Sequence, residues 1–303
     1  MSIRLFPHAA PRAGAETAYA ERGWRSADGL DLHARDYAAA SGPARLPVIC
    51  IHGLTRNARD FEELAPVLAA GGRRVLAVDV RGRGLSAHDP NPRNYHPAVY
   101  AADMAALMAA LGLARAHFIG TSMGGLVAMA LASMKPELVA GAILNDVGAE
   151  LAPEGLARIG QYVGQPAPVQ DWGQATAYAQ RQNTLAFPHY GPEQWRRMAR
   201  RLFREDASGR PVLDYDPAIV ESMKDSGRDA ADLWPLWSAL TKKRPVLVIR
   251  GGNSDLLAAA TLERMRNRAP AIESVEVPGV GHAPMLDEPA ALEAVQAFFA
   301  THP

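Results

Sequence analysis

The sequence predicts an α/β fold: a mostly parallel central sheet flanked by helices, with a helical insertion between two of the sheet strands. Three observations carry this. From residue 47 onward, short apolar runs alternate with stretches of helical apolar periodicity. One run, at 116–119, passes through Gly120-Thr121-Ser122-Met123-Gly124 directly into an apolar helical stretch at 126–131. The alternation then stops at Glu150, and it resumes only at Val246.

With 303 residues and 48% hydrophobic content, the chain can bury one large core plus an insertion. The expected division is a core of residues 1–149 and 241–303 and a helical insertion of residues 150–240. Lysine and arginine number 32, as do aspartate and glutamate, so no net charge draws the chain to nucleic acid or to an anionic membrane. Neither is expected as a partner. Cys50 is the single cysteine, which excludes an internal disulfide and a cysteine-based zinc site. Arginine, proline and histidine interrupt the first eight residues, unlike a signal peptide, and no apolar run is long enough to span a bilayer. A cytoplasmic location is the expectation.

In chain order, residues 1–18 read as an extended lead-in, and residues 19–37 as two strands around the turn signal Asp28-Gly29. Strand 47–51 delivers His52-Gly53-Leu54-Thr55. A helix follows over 60–70, with Phe61, Leu64, Val67 and Leu68 on one face, and Gly71-Gly72 ends it. Strand 75–79 leads into Asp79-Val80-Arg81-Gly82-Arg83-Gly84-Leu85-Ser86, where the glycines serve backbone geometry. A helix over 97–111 precedes the strand at 116–119, and the helix after Ser122 stops near Pro136. Strand 142–144 ends at Asn145-Asp146. Strand 246–250, a helix over 258–268, strand 274–277 and a last helix over 288–300 complete the core.

The insertion concentrates Trp172, Tyr178, Phe187, Tyr190, Trp195, Trp234 and Trp237 in a chain that is only 7% aromatic. Rings at that density either pack a small helical subdomain or line a substrate cavity. Trp172, Tyr178, Trp195 and Trp234 are the pocket candidates from this segment, joined by His52, Gly53 and Arg56 from the loop after strand 47–51. Arg196, Arg200 and Arg204 share one helical face, which reads as a solvated basic surface or as a site for an anion.

The chemistry centres on Ser122, which stands in a strand-to-helix turn whose flanking glycines permit a strained backbone. A neutral hydroxyl needs a base, and His282, in the loop Gly279-Val280-Gly281-His282, can serve. Asp255 follows strand 246–250, and Asp146 follows the strand before the insertion; either could orient the imidazole.

The order Ser122, Asp255, His282, the elbow Gly120–Gly124 and the turn Asp79-x-Arg81-Gly82-x-Gly84-x-Ser86 together resemble the α/β-hydrolase fold family over nearly the whole chain. The resemblance implies Ser122 as nucleophile, His282 as base and Asp255 as acid, with Asp146 the alternative because some members place the acid there. It implies an oxyanion hole from the backbone amides of Leu54 and Met123, and no metal or cofactor. It also implies that the insertion of residues 150–240 is a cap, or lid. A serine rather than an aspartate at position 122 is unlike haloalkane dehalogenases and epoxide hydrolases. The chain is similar to capped carboxylesterases, enol-lactonases and carbon–carbon hydrolases of aromatic ring-fission products. The expected activity is hydrolysis of a small carboxylic ester or lactone, with carbon–carbon hydrolysis as the alternative. A ligand receptor or scaffold with little turnover is the alternative of another class.

Overall fold

The computed structural model describes residues 19–43, 45–221 and 232–303; the lead-in at residues 1–18 lies outside the described residues. Eight strands form one sheet in the order β1-β2-β4-β3-β5-β6-β9-β10. They are β1 (Ala20–Arg25), β2 (Asp31–Tyr37), β3 (Val48–Ile51), β4 (Val75–Asp79), β5 (Ala116–Thr121), β6 (Val139–Asn145), β9 (Val246–Gly251) and β10 (Glu273–Val277). The hairpin β1–β2 and the pair β2–β4 are antiparallel, and every other pairing in this sheet is parallel.

The central strands are apolar on both faces because both faces are covered. In β3, Ile49 and Ile51 join one core cluster while Val48 and Cys50 join the other, and β9 divides Val246 and Val248 from Leu247 and Ile249 in the same way. Helices α2 (Pro97–Ala110) and α3 (Met123–Met134) cover the first face. Helices α1 (Leu64–Ala70) and α9 (Pro289–Thr301) cover the second, with α8 (Ala259–Arg268) sending Met265 to the first. The helix expected over 60–70 is in fact a 3-10 turn, Ala58–Phe61, followed by α1. Pro66 explains the break, since proline lacks the N–H that a helix interior needs and fits only its first turn.

The chain order reverses at β3, which has β4 on one side and β5 on the other. The carboxyl ends of β3 and β5 therefore open a crevice at a topological switch point, where open α/β sheets bind ligands. His52-Gly53 and Ser122 follow those two strands directly.

The segment between β6 and β9 contains α4 (Pro153–Gly160), α5 (Trp172–Asn183) and α6 (Pro192–Leu202). It also holds a short antiparallel hairpin, β7 (Phe203–Glu205) with β8 (Pro211–Leu213), which the sequence reading lacked. Three-residue strands show too little alternation to read. A separate cluster around Ala175, Phe187, Trp195, Met198 and Phe203 holds α5, α6 and the hairpin together. The last helix of the segment, α7 (Trp234–Thr241), instead sends Trp237 and Leu240 into the main core beside α3. The boundary expected at residue 240 thus falls after a helix that packs with the core. No helix among the described residues is long and apolar enough to cross a membrane.

One buried cluster ties the antiparallel edge to the parallel sheet. His33 on β2 lies 2.7 Å from the Asp79 carboxylate on β4 and is also bonded to Glu21 on β1. Burial disfavours its charge, but the hydrogen bonds to Asp79 and Glu21 prevail and raise its pKa to about 9. The folded state therefore holds this proton more tightly than the unfolded chain. Its contribution is full below pH 6.5 and is lost as the pH rises through about 9. Chemical denaturation across this range should show stability falling with pH, and His33→Gln should flatten that slope. An unchanged slope in the variant would assign the dependence to other groups.

Candidate active site

The turn at Ser122 is built by close approach. Ser122 has φ 52° and ψ −115°, a conformation that L-residues seldom adopt. A Cβ on Gly124 would stand 2.1 Å from the Ile51 carbonyl oxygen, so only glycine lets α3 start against β3. Ser122 sits at the N-cap of α3, where the helix dipole favours negative charge.

His282 bridges two groups. Its Nε2 lies 2.9 Å from Ser122 Oγ and its Nδ1 lies 2.8 Å from Asp146 Oδ2. Asp146 follows β6 with φ 57° and is completely buried. Its carboxylate also accepts the Gly251 amide N–H at 2.8 Å and the Ser254 hydroxyl at 2.6 Å. The Gly251 and Ser254 donors thus hold a buried carboxylate against the imidazole, and with His282 Nδ1 they give it the three partners that a buried charge requires.

This corrects the expected partner of His282. Asp255 is engaged elsewhere: Arg158 of α4 donates to it from Nε at 2.5 Å and from Nη2 at 2.8 Å. The Arg158 hydrogen bond lowers the Asp255 pKa. Both acids lie in loops that follow adjacent strands, so spacing alone gave no signal to separate them. Their neighbours do, since Ser254 and Gly251 turn toward Asp146 while Arg158 reaches Asp255.

Behind the serine, His52 is buried and neutral. Its Nε2 accepts the Val80 N–H at 3.1 Å, which leaves the proton on Nδ1, and Nδ1 donates to the Gly53 carbonyl at 2.7 Å. Burial lowers its pKa to about 4, in accord with that assignment. The carbonyl and N–H of a trans peptide point opposite ways, so this bond turns the Leu54 N–H away from His52. Arg83 locks the same segment: it donates from Nε to the Leu54 carbonyl at 2.9 Å and from Nη1 to the Arg81 carbonyl at 2.7 Å, and approaches Met123 Sδ at 3.6 Å. Among the described residues the Leu54 and Met123 amides donate to no other group.

A cavity opens over Ser122 and His282, lined from the core by Gly53, Leu54, Thr55, Arg56 and Asp60, and from the inserted segment by Ile159, Tyr162, Tyr178, Gln182, Asn183 and Phe187. Of the sequence candidates, Gly53, Arg56 and Tyr178 line it. The other four do not. His52 is sealed behind the loop. Trp172 lies under the Arg200 guanidinium and donates to Glu205, and Trp234 lies under Arg268 and donates to Glu150. Trp195 is buried against Tyr190 within the inserted segment. Helical phase explains Trp172, which is roughly 240° around α5 from Tyr178. Tyr178 and Gln182, four residues apart, share the cavity face. Tyr162, Gln182, Asn183 and Tyr215 were missed, and only helical phase could have singled out Gln182.

The helical face expected for Arg196, Arg200 and Arg204 ends early, because α6 stops at Leu202 and Arg204 lies in β7, and all three arginines are matched by acids. Arg196 pairs with Glu193, Arg200 with Glu205 and Arg204 with Asp214. It is a paired surface, which leaves little for an anion to bind.

The sheet topology and the Ser–His–Asp geometry at a strand-to-helix turn define a hydrolase class of fold, and the sequence profile of the alpha/beta hydrolase fold matches residues 47–289. The chain belongs to the α/β-hydrolase fold family and is an enzyme of the hydrolase class. Among its relatives is a 3-hydroxybutyrate-oligomer hydrolase of Cupriavidus necator, 38% identical over 88% of this chain and 93% of that protein. A 2-(acetamidomethylene)succinate hydrolase of Mesorhizobium japonicum is 28% identical over 80% of this chain and 82% of that protein. The solved structure of an α/β hydrolase from Novosphingobium aromaticivorans superposes with a TM-score of 0.87 at 43% identity, covering 95% of this chain and 99% of that one.

Proposed function

We propose that this enzyme hydrolyses small carboxylic esters of the hydroxy-acid type through an acyl-enzyme on Ser122. The observation that carries the proposal is the hydrogen-bonded chain Ser122–His282–Asp146. The Cupriavidus relative, named for an oligomer of 3-hydroxybutyrate, supports the substrate class because the identity extends over nearly all of both proteins.

His282 Nε2 takes the Ser122 proton as Oγ attacks the ester carbonyl, and Asp146 orients the ring and stabilises the imidazolium. The Leu54 and Met123 amides receive the oxyanion, and each such donor lowers the barrier by roughly 3–4 kcal/mol. Collapse breaks the ester C–O bond, and the alkoxide leaves with the proton held on His282. Water then attacks the acyl-enzyme, giving its proton to His282, and collapse breaks the bond between the acyl carbon and Oγ, which takes the proton back from His282 as the acid is released. The inserted segment acts as the cap, with Tyr162, Tyr178 and Gln182 bounding the acyl and leaving-group space.

The test is turnover of p-nitrophenyl acetate, butyrate and octanoate and of the linear 3-hydroxybutyrate dimer, together with fluorophosphonate labelling mapped by mass spectrometry. The expected result is a label on Ser122, absent from Ser122→Ala, and multiple turnovers with the short esters and the dimer preferred over octanoate. Labelling without ester turnover would move the reaction class toward carbon–carbon bonds. Neither labelling nor turnover in folded protein would favour a receptor.

A further inference from the structure

Arg56 stands where a substrate group would meet it, and only part of its hydrogen-bonding capacity is used. Its stem lies against Gly53, beside Ser122: a Cβ on Gly53 would stand 3.5 Å from Arg56 Cγ and 3.9 Å from Ser122 Cβ. Asp60 takes one edge of the guanidinium, accepting from Nε at 2.8 and 3.1 Å and from Nη2 at 2.6 Å. Nη1 has no hydrogen-bond partner among the described residues, and Arg56 and Asp60 both line the cavity that holds Ser122 and His282.

The anchor is stiff. Asp60 belongs to the 3-10 turn Ala58–Phe61, whose start is capped by Asn57 and tied to the sheet by the bond from the Ala58 N–H to Asp79 Oδ1 at 2.7 Å. An arginine held along its Nε/Nη2 edge offers the Nη1/Nη2 edge as a pre-oriented fork, and that fork matches a second carboxylate. Little ordering remains to be done when such a ligand arrives.

We propose that this free edge of Arg56 binds a carboxylate of the substrate, so that the site selects esters carrying a free carboxylate a short acyl unit from the scissile carbonyl. The proposal rests on the ester reading of Ser122 and adds to it the end of the substrate that is recognised. The Arg56–Asp60 pair is neutral as a whole, so selectivity arises from directed N–H donors at short range. Ionic strength therefore affects it only weakly.

The probes are the linear 3-hydroxybutyrate dimer and its methyl ester, which differ only in the terminal carboxylate. In the wild type, kcat/KM should favour the free acid by about tenfold to a hundredfold, the range expected of a charge-assisted pair. In Arg56→Gln the ratio should fall to about one, and in Arg56→Lys it should be partly retained. Binding of both probes to Ser122→Ala, measured by calorimetry with and without Arg56→Gln, gives a readout that needs no turnover. Equal wild-type kcat/KM for acid and methyl ester, or a preference that survives Arg56→Gln, overturns the proposal while the ester reading stands. An Arg56-dependent binding preference with no cleavage of either probe supports the carboxylate site and sinks the ester reading instead. Equal kcat/KM for the two probes on the wild type overturns the proposal even where the Arg56 variants do not fold.

Discussion

Asp146→Asn should lower kcat on a short ester by about 10⁴-fold with little change in KM, whereas Asp255→Asn should leave kcat within about threefold of the wild type. The donors around Asp146 set the size of this effect. Oδ1 accepts the Gly251 N–H, so an asparagine keeps its oxygen there and turns its NH₂ toward His282 Nδ1. The imidazole must then carry its proton on Nε2, and it can no longer take one from Ser122. Substitution of Asp255 instead breaks the ion pair with Arg158, a partly exposed contact between α4 and the loop after β9. Such a pair stabilises by about 1 kcal/mol or less. The measurement is steady-state kinetics on p-nitrophenyl butyrate with both variants. A large loss in Asp255→Asn and a small one in Asp146→Asn would reverse the assignment.

The second large effect is on stability. Arg81 is 1% exposed and binds three carboxylates: Asp28 at 2.8 Å, Asp89 at 2.5 Å and Asp103 at 2.6 Å. Asp89 and Asp103 are themselves almost wholly buried. Removing the guanidinium leaves two carboxylates without their counter-charge, and Arg81→Met should cost about 3–5 kcal/mol in chemical denaturation. Arg81→Lys should recover part of the loss, because an ammonium restores the charge but not the fork that reaches three acids. A loss below about 1 kcal/mol in Arg81→Met would show that the cluster contributes little. The residue lies in the Asp79–Ser86 turn, for which a structural role was expected, with its glycines serving backbone geometry. What the structure adds is the contact: the Arg81 side chain joins the turn to α2 through Asp103.

The order of strands and helices was legible because both signals are local. A strand buried on both faces is a short apolar run wherever it is finally placed, and a covering helix shows its stripe regardless of its partner. The elbow was legible for the same reason: Gly120 and Gly124 flank Ser122 within five residues, Gly120 packing against the first turn of α3 and Gly124 against Ile51 of β3. His282 could be singled out by its place directly after Gly279 and Gly281 in the loop that follows the last strand.

What the sequence by itself determined, then, is the alternation that builds the sheet, the turn that presents Ser122 and the loop that carries His282. Only the tertiary structure decided which carboxylate faces the imidazole, because Asp146 and Asp255 are 109 positions apart in numbering and are brought to neighbouring strand ends by the β6–β9 pairing. It also decided which side chains of the inserted segment meet the cavity. Composition marked the tryptophans, yet Trp172, Trp195 and Trp234 pack away from Ser122 while Tyr178 and Gln182 face it. The physical reason is common to both outcomes: periodicity specifies that a face is buried, whereas the identity of what it is buried against depends on contacts between residues far apart in the chain.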